Sequence, residues 1–273
     1  MRLCMFSPKE LDLPRGWPGR IEGDRVIQLA AQTLQSFFTG GGHAREHAEH
    51  RLEDVVLRAP VLCPPSVRDF YAFEQHVRTA RAARGLEVPP EWYEQPVFYF
   101  SNPAAIYGPE ESVPYPEGTE ELDYELEVAA VIGAEGAIAG FTVMNDWSAR
   151  DLQRAEMRVG LGPAKGKDFA TSLGPVVVTV DEFPGDEAEM VARVNGEERS
   201  RGNLRDLHFS WERIRAHAAR NTQLRPGDVL GSGTVGTGCI LELGDGRWLQ
   251  PGDVVELEVE AIGVLRNTVG PRP

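Results

Sequence analysis

From Pro96 to the C-terminus the chain is divided into short apolar or alternating runs by glycine and proline, and this division limits the possible folds most sharply. Residues 97–100, 126–132, 137–143 and 175–180 each have the length and composition of a strand. Residues 190–195 followed by Gly196 predict a hairpin closed by an Asn-Gly turn. Pro226-Gly227-Asp228 and Pro251-Gly252-Asp253 are two copies of one turn, each leading into a further strand. Helical spacing in this region is confined to residues 149–158 and 211–220. Strands that outnumber helices, without regular alternation, argue against a doubly wound or barrel α/β fold. They predict an α+β, β-rich sandwich or roll.

The N-terminal stretch reads differently. Residues 20–27 predict two small strands joined at Gly23-Asp24, and 29–38 predict a helix broken by Gly40-Gly41-Gly42. The proline-rich stretch 58–66 sets a boundary near residue 60, separating a small module (1–60) from a larger domain (61–273). Ser66 or Asp69 then caps a predicted helix bearing Phe70, Phe73, Val77 and Ala80, and Pro89-Pro90 ends any remaining helix.

Charge narrows the function. Against 28 Lys and Arg stand 42 Asp and Glu, a net charge of −14. A field of that sign repels phosphate backbones and anionic membranes, so neither nucleic acid nor a membrane is an expected partner. An anionic ligand would need a local basic cluster or a bound cation. No apolar run approaches the ~20 residues of a membrane span, and the first residues lack a signal-peptide core, so a cytoplasmic address is expected. Cys4, Cys63 and Cys239 are widely separated and form no CxxC pair, which argues against a disulfide framework and a zinc-thiolate site.

Several side chains suggest chemistry. Glu125 and Glu127 flank Leu126, so in a strand both carboxylates project from one face while Leu126 and Val128 point to the other. The pair reads either as a solvated strand face or as half of a cation site. Asp146 ends a hydrophobic strand joined to theirs through residues 133–136, so pairing would place it beside them; otherwise it caps the following helix. An all-oxygen cluster of this kind suits Mg²⁺, Mn²⁺ or Ca²⁺. Asp69 and His76 lie two turns apart if one helix carries both, and His76 could then act as a base. His43, His47 and His50 lie in a glutamate-rich segment that reads as a solvated helix or loop. Arg150 and Gln153 share a helix face. Residues 160–169 form a glycine-rich loop with Lys165 and Lys167 that lacks a Walker ending, and 231–238 form a second Gly/Thr loop. The following segment, 239–243, reads as an apolar strand whose Glu242 calls for a buried partner.

Taken together, Asp69-Phe70-Tyr71 with Gln75-His76, the run from Asp123 to Glu127, Met144-Asn145-Asp146-Trp147-Ser148-Ala149-Arg150-Asp151-Leu152-Gln153 and Gly231-Ser232-Gly233-Thr234 resemble the fumarylacetoacetate hydrolase family from about residue 60 onward. The resemblance implies a mixed β-sandwich roll, commonly homodimeric. It implies a divalent cation held by Asp69, Glu125, Glu127 and Asp146, with His76 as water-activating base and Glu242 as its orienting carboxylate. It further implies that Arg150, Gln153 and Lys167 bind developing negative charge. Tyr71, Tyr99 and Thr234 match substrate contacts, and Thr171 falls where the family has a second, structural cation. Met157 stands where the namesake hydrolase has a substrate-contacting tyrosine. The activity so implied is metal-dependent hydrolysis of a carbon–carbon bond in a small anionic 2,4-dioxo acid. Oxaloacetate decarboxylation, or isomerisation or hydration of a 2-oxo acid, is the alternative on the same site. An inactive binding protein of this fold is disfavoured by the complete residue set. Residues 78–95, rich in arginine and following His76, are expected to form a lid.

Overall fold

The computed structural model describes residues 1–273, the side chain of Asp186 excepted. Two β-sheets carry the architecture. The larger has twelve strands, and its main path runs from Glu46–Arg51 through Arg25–Leu29, Trp17–Glu22, Arg2–Pro8, Thr171–Thr179, Ile138–Asp146, Leu126–Ile132, Val229–Gly231 and Val67–Phe70 to Phe98–Ser101. The smaller has five: Glu197–Asn203, Glu189–Val194, Val254–Val259, Gly263–Val269 and Ser112–Val113. Few helices accompany them, and the α+β, β-rich expectation holds. No helix among the described residues is long and apolar enough to cross a membrane.

Period-two alternation explains how the sheets pack. Along Leu126–Ile132, the side chains of Leu126, Val128, Ala130 and Ile132 enter the main core, which also takes Met190, Ala192, Leu257 and Leu265 from the smaller sheet. The intervening Ala129 and Val131 face the opposite side and join two satellite clusters. Glu127 shares that second face. The Leu126–Ile132 and Ile138–Asp146 strands pair antiparallel, with Glu127 opposite Met144 and Leu126 opposite Asn145, as the spacing predicts. The Asn195-Gly196 turn closes its hairpin with both residues at positive φ (52° and 79°), where an Asn-Gly pair is favoured.

Four local readings are corrected. The helix expected over 29–38 is shortened to Leu34–Thr39, because Leu29 completes a strand; Thr33 caps the helix. Residues 43–50 form no helix: Glu46–Arg51 pairs with Arg25–Leu29 as the charged edge strand of the large sheet. Asp69 lies in the strand Val67–Phe70, and the helix carrying His76 starts only at Glu74. The expected strand over 239–243 is instead a short helix, Ile240–Leu243.

Strands from both sides of the expected boundary near residue 60 share one sheet, since Arg2–Pro8 pairs with Thr171–Thr179. Within residues 78–95, Pro90–Glu94 forms a helix whose Trp92 is buried against His208 and Phe209, at ring separations of 4.8 and 5.4 Å. The Trp92 indole also donates to the Tyr71 carbonyl at 2.7 Å.

Candidate active site

Four buried carboxylates converge. Asp69 arrives on the Val67–Phe70 strand, Glu127 on Leu126–Ile132, Asp146 at the end of Ile138–Asp146, and Glu125 one residue before its strand begins. One oxygen from each lies within 4.8 Å of the others. Their placement follows from strand geometry: Asp123, Glu125 and Glu127 alternate with Tyr124 and Leu126, both fully buried in the core. The Asn145 side chain accepts from the Glu125 amide at 3.0 Å and fixes the point where the run enters its strand. Val229–Gly231 crosses so closely that a Cβ on Gly231 would lie 2.6 Å from Asp69 Oδ1 and 2.9 Å from Glu127 Oε2. A side chain there would displace the two carboxylates.

Two cations offset this charge. Lys167 donates to Glu125 Oε2 at 2.6 Å and to Asp146 Oδ2 at 2.5 Å, while Arg150 donates through Nη2 to Glu125 Oε1 at 2.7 Å. Burial opposes ionisation of Glu125, yet Lys167 and then Arg150 outweigh it and hold the carboxyl far below its usual range. Asp69 and Glu127 lack such cations. Burial first, then Asp146 beside Asp69 and Asp69 beside Glu127, push both well above the ordinary carboxylate range. Asp69 Oδ1, Glu127 Oε1 and Asp146 Oδ1 are buried without a hydrogen-bond partner. Buried acceptors left unpaired are costly, and a hard dication would both satisfy them and relieve the repulsion. The donor set fits such an ion.

Lys167 owes its position to the expected glycine-rich loop, though by a different route than ligand binding. The Glu156 carboxylate accepts from the amides of Ala164, Lys165 and Gly166 at 2.8, 2.6 and 3.1 Å, folding the loop onto the helix Arg150–Val159. Lys165 is exposed and pairs with Asp168, leaving Lys167 as the loop's contribution. Met157, on the same helix, faces solvent.

The second half of the site is a buried dyad. His76 Nδ1 lies 2.8 Å from Glu242 Oε2, so the partner that Glu242 required is the histidine. The Tyr71 ring packs edge-on to the imidazole, with centroids 5.2 Å apart. Cys239 Sγ is 3.5 Å from Glu242 Oε2, and burial raises its thiol well above the usual range. Tyr99 donates to Asp146 Oδ2 at 2.6 Å. Thr234 Oγ1 is buried and unpartnered, Gln153 Oε1 accepts from Arg150 at 3.2 Å, and the Thr171 hydroxyl lies 3.4 Å from that of Ser101. Arg150 and Lys167 therefore grip carboxylates, and the loop-and-helix packing holds them there.

Residues 66–270 match the model for the family described as fumarylacetoacetate (FAA) hydrolase, C-terminal. The chain belongs to the fumarylacetoacetate hydrolase family. It is 35% identical to a mitochondrial oxaloacetate tautomerase of Homo sapiens over 299 residues, spanning 98% of this chain and 91% of that one. The solved fumarylacetoacetate hydrolase of Exiguobacterium antarcticum covers the full length of both chains at 27% identity and a TM-score of 0.82. A 5-carboxymethyl-2-hydroxymuconate delta-isomerase from Mycobacterium smegmatis does so at 29% and 0.78. Members similar to this chain thus include tautomerases and isomerases as well as hydrolases.

Sequence reasoning missed three supports of this family site. Asp123 touches Arg150 and the helix bearing Glu242, Asn145 fixes Glu125, and Glu156 organises the lysine loop. Of these, Asp123 and Asn145 stood within the runs that carried the family resemblance, whereas Glu156 carried no signal.

Proposed function

We propose that the chain is a divalent-cation-dependent enzyme that moves a proton beside the carbonyl of a small 2-oxo or 2,4-dioxo acid, interconverting keto and enol forms. The observation that carries this reading is the His76–Glu242 contact of 2.8 Å next to a four-carboxylate cluster. Similarity to an oxaloacetate tautomerase across nearly the whole chain supports it.

A cation such as Mg²⁺, Mn²⁺ or Ca²⁺, held by Asp69, Glu125, Glu127 and Asp146, would polarise the carbonyl and favour loss of the adjacent proton. Glu242 Oε2 lies 2.8 Å from His76 Nδ1, close enough to take up a proton there during turnover and so to favour the tautomer with Nε2 as the base. Nε2 takes a proton from the carbon next to the carbonyl and returns it to the carbonyl oxygen, so the step is balanced without an outside reagent. The edge-on Tyr71 ring limits rotation of the imidazole. Thr234, with an unpartnered buried hydroxyl, can donate to the substrate. Lys167 and Arg150 keep Glu125 ionised and temper the negative field that an anionic substrate meets.

Carbon–carbon hydrolysis is the second reading. The same dyad serves it by deprotonating water, and the likeness to the Exiguobacterium hydrolase favours it. A homodimer belongs to either reading; the Phe98–Ser101 strand at the sheet edge, with Phe100 64% exposed, supports one.

The test begins with EDTA-treated protein restored with Mg²⁺, Mn²⁺ or Ca²⁺. Enol–keto conversion of oxaloacetate is followed by its ultraviolet absorbance, alongside acylpyruvate hydrolysis and oxaloacetate decarboxylation. Dominant tautomerisation supports the first reading, and dominant hydrolysis replaces it with the second. Turnover of none of these acids by folded, metal-loaded protein would sink both.

A further inference from the structure

We infer that Asp123 is a positioning residue that locks the carboxylate half of the site to the His76–Glu242 half. Its side chain is fully buried and accepts from three donors. Arg150 Nε donates to Oδ2 at 2.8 Å, the Ile240 amide to Oδ1 at 2.7 Å and the Leu241 amide to Oδ2 at 3.1 Å. Those two amides open the four-residue helix that carries Glu242.

A helix this short is marginal by itself, and its first amides have no partner within it. Cys239, at the cap position, supplies no side-chain hydrogen bond. The Asp123 carboxylate, 117 residues earlier in the chain, takes over that function. Glu242 follows Leu241 directly, so the backbone that aims its carboxylate at His76 is held by Asp123. At the other end, the Arg150 guanidinium gripped by Asp123 also donates to Glu125, one of the four converging carboxylates. One linkage, Glu125–Arg150–Asp123–Ile240/Leu241, therefore joins the two halves. Asp123 needs no contact with substrate to do this. A displacement of a few tenths of an ångström in the short helix would change the 2.8 Å contact between Glu242 and His76.

The inference rests on the proposed proton transfer, but its test includes a readout that needs no substrate. In Asp123→Asn the amide presents a donor to one of three existing donors, so at least one contact breaks while the volume is kept. With saturating Mg²⁺, kcat should fall roughly 10–100-fold, the range of lost outer-shell support, with KM and Mg²⁺ affinity changing much less. The double variant Asp123→Asn/Glu242→Gln should be no slower than Glu242→Gln alone, because both act through one group. In ¹⁵N-histidine-labelled protein, the Nδ1–H resonance abolished by Glu242→Gln should shift or broaden in Asp123→Asn, whatever the substrate. Asp123→Ser, which admits a water, provides a second folded variant with the same expected signature. An unshifted His76 resonance, or a kinetic cost that adds in full to that of Glu242→Gln, overturns the inference. Failure of both variants to fold overturns it too, since that marks a purely structural residue. Loss of wild-type turnover on all dioxo acids, with the resonance shift intact, counts against the proton-transfer reading alone.

Discussion

Four carboxylates reach the site from extended backbone on nearby strands of a twelve-stranded sheet, whereas His76 and Glu242 ride on helices of nine and four residues. The strands hold their side chains by ladder hydrogen bonds and by core residues on the opposite face, so the cluster's geometry is largely set by the sheet. The helical pair depends on a few specific contacts: the Asp123 clamp, the Tyr71 ring and the packing of Trp92 beneath Tyr71. A rigid half suits cation binding, where four oxygens must stay in place. A half held by few contacts suits proton transfer, where one pair must be aimed. The comparison predicts that damage to the strand half abolishes cation binding, while damage to the helical half spares binding and slows chemistry.

The largest expected effect comes from the strand half. Glu127→Ala or Asp146→Ala should remove detectable turnover, a loss beyond the roughly 10–100-fold typical of outer-shell changes, and should cancel any rise in Tm caused by Mg²⁺. Calorimetric titration with Mg²⁺ and thermal melts check both. Retained Mg²⁺ binding in either variant would break the assignment of the cluster. Next comes Glu242→Gln, which should keep Mg²⁺ affinity but lower kcat by about 10²–10⁴-fold, the span of lost general-base catalysis. If hydrolysis or tautomerisation survives that change while decarboxylation is also retained, the dyad has no chemical role and the contrast between the halves disappears.

The two halves were also unequally legible in the sequence. Glu125 and Glu127 were readable because period-two alternation places them opposite Leu126 and Val128, and Asp146 because its strand had to pair with theirs. The strand at Asp69 is hidden from the pattern because four residues, Val67–Phe70, are too few to display alternation, and Phe70, Phe73 and Val77 mimic a helical stripe that Asp69 could cap. Residues 239–243 looked like a strand because they are mostly apolar. What makes residues 240–243 helical is a carboxylate 117 residues away, which no local pattern records. The same applies to 46–51, a polar segment drawn into a strand by its partner Arg25–Leu29. Short elements stabilised by distant contacts were the ones misread, and the helical half of the site is built from such elements.

Lys167 tests whether the strand half is as self-sufficient as the comparison holds. Its ammonium bridges Glu125 and Asp146 and is itself almost completely buried. Burial works against its charge, but the two carboxylates more than compensate and raise its pKa. In Lys167→Met both carboxylates lose a buried partner, a change that costs about 3–5 kcal/mol when a buried pair is broken. Chemical denaturation of the cation-free variant should show that loss, and added Mg²⁺ should recover part of it by supplying charge to the same oxygens. An unchanged stability in the absence of cation would mean that the sheet tolerates unpaired carboxylates, and the fit of the cluster to a dication would lose its physical basis.

The smallest expected effect belongs to Tyr99→Phe. The Tyr99 hydroxyl donates to Asp146 Oδ2 at 2.6 Å, but Lys167 donates to the same oxygen at 2.5 Å. Removing the hydroxyl therefore leaves Asp146 Oδ2 with a charged donor, and Oδ1, the oxygen available to a cation, is untouched. The phenol pKa is raised, chiefly by burial and then by Asp146, so the group is a poor source of protons and works as a fixed donor. Losing one hydrogen bond with the acceptor still satisfied costs about 0.5–1.5 kcal/mol, or roughly two- to tenfold in Mg²⁺ affinity or kcat. Titration with Mg²⁺ and steady-state kinetics on the same preparation separate those two parameters. A loss of more than about a hundredfold in kcat with Mg²⁺ binding intact would exceed what a redundant donor can contribute. Tyr99 would then be the group that hands a proton to substrate oxygen, and a strand-borne residue would share the chemistry now assigned to the helical pair.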